Sequence, residues 1–157
     1  MDRNEFALSF FTVLGKYVAA RHADGVLAAK FPLWPGVVSR PAKPGEIISL
    51  YGNGFGPTVN SADLPARLQA CPWMPSAGDG PCPVAVSFTT GNGQWTTSIA
   101  DWAGLVGWGL YQINVKVPNL PDGDLWIVAG LGVACGPCSS YATDFSQLQT
   151  ILITIQN

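Results

Sequence analysis

The sequence predicts an all-β chain, a sandwich of two sheets rather than a closed barrel. Three observations carry this. Apolar residues alternate with a period of two in segment after segment. Eighteen Gly and 13 Pro divide the chain into short runs. Helical periodicity is poor throughout, and Ser61 to Gln69 has at most one short helical turn.

The elements follow in order. Phe6 to Val13 and Tyr17 to His22 flank Gly15-Lys16 and read as an N-terminal β-hairpin, after which Asp24-Gly25 turns the chain into Val26-Leu27. Pro32, Pro35, Pro41 and Pro44 mark a connector expected to be extended. Residues 1–40 therefore form a hairpin and Pro-rich connector, and residues 41–157 the main sandwich domain. Glu46 to Tyr51 sets Ile48 and Leu50 opposite Ile47, Ser49 and Tyr51, a pattern compatible with burial on both faces. Gly52-Asn53-Gly54-Phe55-Gly56 has the glycine content of a phosphate loop, but Pro57-Thr58-Val59 does not start a helix, so a backbone bend is the simpler reading.

Val84, Val86 and Phe88 alternate with smaller residues, and Gly91-Asn92-Gly93 turns the chain into Gln94 to Ile99. Leu110 to Val117 is the clearest strand: Tyr111, Ile113, Val115 and Val117 face a core, while Gln112, Asn114 and Lys116 face water or a partner. Pro118 ends it and Pro121-Asp122-Gly123 turns the chain. Leu125 to Val133 and a final strand marked by Ile151, Ile153 and Ile155 complete the set.

Composition limits the function. Charged residues are 11% of the chain, against roughly 25% in ordinary soluble domains, so part of the surface is expected to be covered by a neighbouring domain, another subunit or a polymer. Net charge is −2 and no Lys/Arg run exists, which argues against nucleic acid and anionic membranes as partners. No apolar run reaches the roughly 18 residues of a membrane span. Asp2 and Glu5 beside Arg3, with Lys16 downstream, make a poor signal peptide, and derivation from a longer exported parent is the expectation.

Chemistry-bearing motifs are few. Cys135-Gly136-Pro137-Cys138 is spelled like a thioredoxin redox site but lacks the helix and βαβ context that lower a thiol pKa, so a short structural disulfide is preferred. Cys71 and Cys82 bracket a Pro/Gly-rich loop that a bridge would fix. Four Cys allow three pairings; proximity favours Cys71 with Cys82 and Cys135 with Cys138, and a four-Cys zinc site is the alternative. Disulfides imply an oxidising, extracytoplasmic compartment. His22 is the only histidine, which leaves little material for a catalytic triad or a multi-His metal site, and it reads as a surface residue in a turn. No cofactor, metal or catalytic residue is expected. Of the six Trp, Trp73, Trp102 and Trp108 fall in loops and are the candidates for stacking on a sugar, whereas Trp95 and Trp126 fall on strands and read as core or interface.

Five separated motifs share a family pattern: His22-Ala-Asp-Gly25, Pro41-Ala-Lys-Pro-Gly-Glu46, Tyr51-Gly-Asn-Gly-Phe-Gly-Pro-Thr58, Gly109-Leu-Tyr-Gln-Ile-Asn-Val115 and Val117-Pro-Asn-Leu-Pro-Asp-Gly-Asp124. The chain resembles, over roughly residues 17 to 156, the C-terminal domain family of large Solibacter-type exported bacterial proteins, related to the IPT/TIG immunoglobulin-like domains. The resemblance implies an immunoglobulin-like antiparallel sandwich at the cell surface, with no catalytic residues to transfer. The chain departs from the pattern at the Cys71 to Cys82 loop and at Leu131 to Cys138, and both departures add Cys. The expected function is a non-catalytic extracellular structural or interaction module whose partners are neighbouring domains or copies of itself. Strand addition through Phe6, Leu8, Phe10, Phe11 and Val13 is the expected route of self-assembly, and carbohydrate binding through the loop tryptophans is the alternative.

Overall fold

The computed structural model describes residues 9–55, 58–60, 62–69, 83–131 and 151–157, and all of the described secondary structure is β. The segments of the four Cys, together with Phe6, Leu8 and Trp73, lie outside the described residues.

The alternating segments become two facing sheets. The larger is 8-stranded and is centred on β7 (Ile47–Asn53) and β12 (Leu110–Lys116), which pair antiparallel from Ile47↔Lys116 to Gly52↔Tyr111. Beyond β12 lie β11 (Trp102–Gly107) and β8 (Ala66–Arg67). On the other side of β7 come β4 (Ala20–Arg21), β5 (Leu27–Ala28) and β6 (Ser39–Arg40). The smaller sheet is 6-stranded, in the order β10 (Thr96–Ile99), β9 (Val84–Thr89), β13 (Gly123–Leu131), β14 (Leu152–Ile155), β3 (Tyr17–Val18) and β2 (Thr12–Val13). Two pairs, β14 with β3 and β5 with β6, are parallel, so the sheets are mixed rather than purely antiparallel.

One core lies between the sheets. Ile48, Leu50, Ile113 and Val115 from the larger sheet meet Val86, Phe88, Ile127 and Ile153 from the smaller. Burying side chains of this size contributes about 1.5–3 kcal/mol each. β7 is buried on one face only: Ile48 and Leu50 are enclosed, while Ile47 is exposed and Ser49 and Tyr51 are half-buried. Residues 62–69, where the sequence allows at most one short helical turn, form no helix. Ala66–Arg67 is drawn instead into the edge of the larger sheet by its register with Gly104 and Leu105.

The N-terminal hairpin belongs to this core. β1 (Ser9–Phe10) pairs with β7, and Phe10 is only 6% exposed. At Phe11 the strand bends: its N–H bonds to Tyr51, its carbonyl accepts the Ala19 N–H, and the chain continues as β2 in the other sheet. The return strand makes the same crossing, with β3 in the smaller sheet and β4 in the larger. Gly52 is required where β1 crosses β7, because a Cβ there would collide with the Ser9 carbonyl and sit 3.0 Å from the Phe55 ring. The boundary expected at residue 40 does not separate two cores, since Phe10, Val18, Ala20 and Ala28 share one cluster with the later strands. The connector is not simply extended either: it supplies β6, and Leu33 and Trp34 fold back with Ala29 onto Tyr17.

Candidate functional site

Trp102 is a strand residue, the first of β11, rather than a loop residue. Its register partner is Asn114, so it shares the outer face of the larger sheet with the side chains that alternate away from the core. Across that face run Arg21, Ser49, Asn114 and Trp102 in one row, and Tyr51, Gln112, Gly104 and Arg67 in the next. Gly104 keeps the rows close: a Cβ there would collide with the Ala66 carbonyl and come within 2.9 Å of the Trp102 ring.

The middle of the face is a closed polar triangle. Gln112 Nε2 donates to Asn114 Oδ1 at 2.8 Å and to Ser49 Oγ at 3.3 Å, and Ser49 Oγ donates to Asn114 Oδ1 at 2.8 Å. These bonds fix the orientation of both amides, leaving Asn114 Nδ2 as a donor and Gln112 Oε1 as an acceptor with no protein partner among the described residues. Arg21, Arg67 and Lys116 are exposed on the same face. None makes an ion pair among the described residues.

The smaller sheet presents a different outer face. Trp126 is 43% exposed and Ile99 46%, with Trp95 at 38% at the start of the neighbouring edge. Ser87 and Thr97 bond hydroxyl to hydroxyl at 2.7 Å between them. The one acid of its strands, Asp124, is engaged by the Tyr17 hydroxyl at 3.0 Å and the Thr154 hydroxyl at 2.6 Å. Burial, helped by this hydrogen bond to Asp124, pushes the Tyr17 phenol up from its ordinary value. Of the two places expected for Trp95 and Trp126, core or interface, the core is excluded: both are substantially exposed within the chain. The alternation that put them on strands carried no information about which face would be covered.

Trp108 is 98% exposed in the turn between β11 and β12. It is six residues along from Trp102, or about 20 Å of extended strand, so the two indoles do not form one platform. Among the described members of the expected assembly strand, Phe10 is buried in its own domain, Phe11 is exposed and Val13 is half-buried. His22, expected at the surface, is buried: Nε2 faces the Arg40 carbonyl and Nδ1 the Glu46 carboxylate, each at 3.0 Å. Asp24, in the adjoining turn, is held below the usual carboxylate range by its hydrogen bond from Arg40 and a further one from the Val26 N–H.

No protein-family model, curated protein or solved structure matches this chain.

Among the described residues no three His, Cys, Asp or Glu side chains gather as a metal site would need, and no helix is long and apolar enough to cross a membrane. What the arrangement provides is two outer faces of different character: one polar and cationic with a single indole, the other aromatic with Asp124 as the one acid of its strands.

Proposed function

We propose that this chain is a non-catalytic extracellular interaction module of a bacterial surface protein, one that associates with copies of itself by strand addition. The observation that carries this reading is β10. Among the described residues it ends the smaller sheet, and its sequence Thr96-Thr97-Ser98-Ile99 holds no charge and no proline. Edge strands are normally guarded by Lys, Pro or a bulge, because their free N–H and C=O groups recruit other strands. Here the guard is missing and the adjoining face carries Ile99, Trp95 and Trp126. An antiparallel pairing of two β10 strands across a two-fold axis joins identical uncharged surfaces without repulsion. The resemblance to exported immunoglobulin-like domains supports the cellular address. The route differs from strand addition through Phe6 to Val13, because Ser9–Phe10 is already paired within its own sheet.

Light scattering across a concentration series is the test. Association is expected to grow with concentration and to be abolished by Ile99→Lys, which places a charge on the edge. A strictly monomeric protein at every concentration sinks the proposal, as does association that survives Ile99→Lys unchanged.

A second reading, carbohydrate binding, is favoured by a separate observation: the indole of Trp102 shares a flat face with the oriented amides of Gln112 and Asn114.

A further inference from the structure

We infer that the outer face of the larger sheet is a binding site for an acidic polysaccharide, of the uronate-bearing class. The inference rests on the carbohydrate-binding reading and adds to it the charge of the ligand and the residues that meet it. The face is built by β4, β7, β12, β11 and β8, and none of the residues in these five strands is an acid. Three cations, Arg21, Arg67 and Lys116, stand on it with no carboxylate partner among the described residues, although the whole chain carries −2. The nearest acids in sequence lie outside the strands. Glu46 is turned to His22 and to the Lys43 N–H, and Asp101 precedes Trp102 at the sheet corner, where its own N–H bonds to the Asn114 carbonyl.

The spacing suits an elongated ligand. Arg21 on β4 and Arg67 on β8 are separated by four strand-to-strand steps, roughly 19 Å at about 4.8 Å per step. Between them lie the Ser49–Gln112–Asn114 triangle, the Tyr51 side chain and the Trp102 indole. The free donor of Asn114 and the free acceptor of Gln112 match sugar hydroxyls, which both accept and donate. The indole gives the apolar face of a sugar ring something to stack on. The two arginines, whose planar guanidinium groups take carboxylates two hydrogen bonds at a time, supply the ends.

Other polyanions fit this face less well. Duplex DNA carries one charge per about 1.7 Å of axis and is held by many more cations than three. An acidic peptide in extended form is captured by pairing at a sheet edge, and this is a sheet face with its backbone bonds already made inside the sheet.

The test is titration of the intact chain with polygalacturonate, followed by tryptophan fluorescence and calorimetry, with dextran, polyglutamate and a single-stranded DNA oligonucleotide as comparisons. Saturable binding of polygalacturonate is expected, weakening as salt rises. The double variant Arg21→Gln/Arg67→Gln, both sites exposed and without an ion pair among the described residues, is expected to lose at least tenfold in affinity with its thermal melt unchanged. Gln112→Ala is expected to weaken polygalacturonate without affecting any residual polyglutamate binding, and Trp108→Ala is expected to leave affinity unchanged. No binding of polygalacturonate overturns the inference. Equal binding of polyglutamate or DNA also overturns it, by showing a response to charge alone, and so does dextran binding that matches polygalacturonate and ignores the arginine variants. The carbohydrate reading fails separately, if no glycan of either charge binds. The self-association reading is decided independently by light scattering of the unliganded chain.

Discussion

His22 Nδ1 lies 3.0 Å from the Glu46 carboxylate, with the imidazole almost wholly enclosed at 1% exposure. The approach is close but departs from hydrogen-bond direction, so the ring packs against the carboxylate without a formal bond. On the other side of the ring, Nε2 meets the Arg40 carbonyl, which can only accept, so Nε2 carries a proton. The ring therefore ties the β4–β5 turn to β6 and to the segment entering β7.

Replacing His22 by Ala removes the Nε2 donor and leaves an enclosed void, while the Arg40 carbonyl keeps the Ala29 N–H. A lost hydrogen bond costs about 0.5–1.5 kcal/mol and the void adds to it, so urea unfolding of His22→Ala is expected to show a loss of about 1–3 kcal/mol. A change below about 0.5 kcal/mol, the level of an ordinary surface substitution, places the ring outside the energetics of the fold.

Phe10 and Phe11 are adjacent and differ in fate. Phe10 packs against Phe55 with ring centroids 6.2 Å apart, while Phe11 faces solvent. Phe10→Ala is expected to cost about 3–5 kcal/mol, the range for buried aromatics. Phe11→Ala is expected to cost well under 1 kcal/mol by the same chemical denaturation. Equal effects contradict the inclusion of the N-terminal strand in the core.

Gly104→Ala forces a Cβ into the Ala66 carbonyl and the Trp102 ring. Overpacking of this kind costs about 1–3 kcal/mol, so its thermal melt is expected to drop by several degrees. Relief by the pair Gly104→Ala/Trp102→Ala, measured as a double-mutant cycle, checks how much of the strain comes from the indole rather than the backbone.

Tyr17 gives the fold a pH dependence. Its pKa is raised in the folded protein, first by burial and then by the hydrogen bond to Asp124. The folded state therefore holds the phenolic proton more tightly than the unfolded chain, whose tyrosines titrate near 10. The stability this represents is fully present below about pH 10 and is lost as pH rises through the folded value. Denaturation midpoints measured from pH 8 upward are expected to fall in the wild type and to fall less in Tyr17→Phe.

Much of the fold is legible in the sequence because the two-residue period is local. Val84 to Phe88, Leu110 to Val117 and Ile151 to Ile155 each display which side is buried, and the structure places those sides inward. What the period does not carry is partnership. Ala66–Arg67 is a strand only because β11 lies beside it, and His22 is buried only because Arg40 and Glu46 close over it. The cationic face is hidden for the same reason. Arg21, Arg67 and Lys116 are far apart in sequence and form no run, and only the sheet register brings them to one side. Trp102 is a candidate by its expected loop position, which the structure replaces with the first position of β11, while the amides beside it carry no signal beyond the polar side of an alternating strand.

The hairpin of residues 9–21 has consequences for the order in which the chain matures. Its first partners, Ser49 to Asn53, are made soon after it, but Tyr17 pairs with Leu152 and bonds through its hydroxyl to Asp124. Pairings this distant are slow to find, because the intervening chain must be brought to order before any gain is realised. During synthesis, a polypeptide emerging from its N-terminus holds this hairpin half-paired until β14 has appeared. Residues 9–21 therefore reach their full set of neighbours only after β14 has been made.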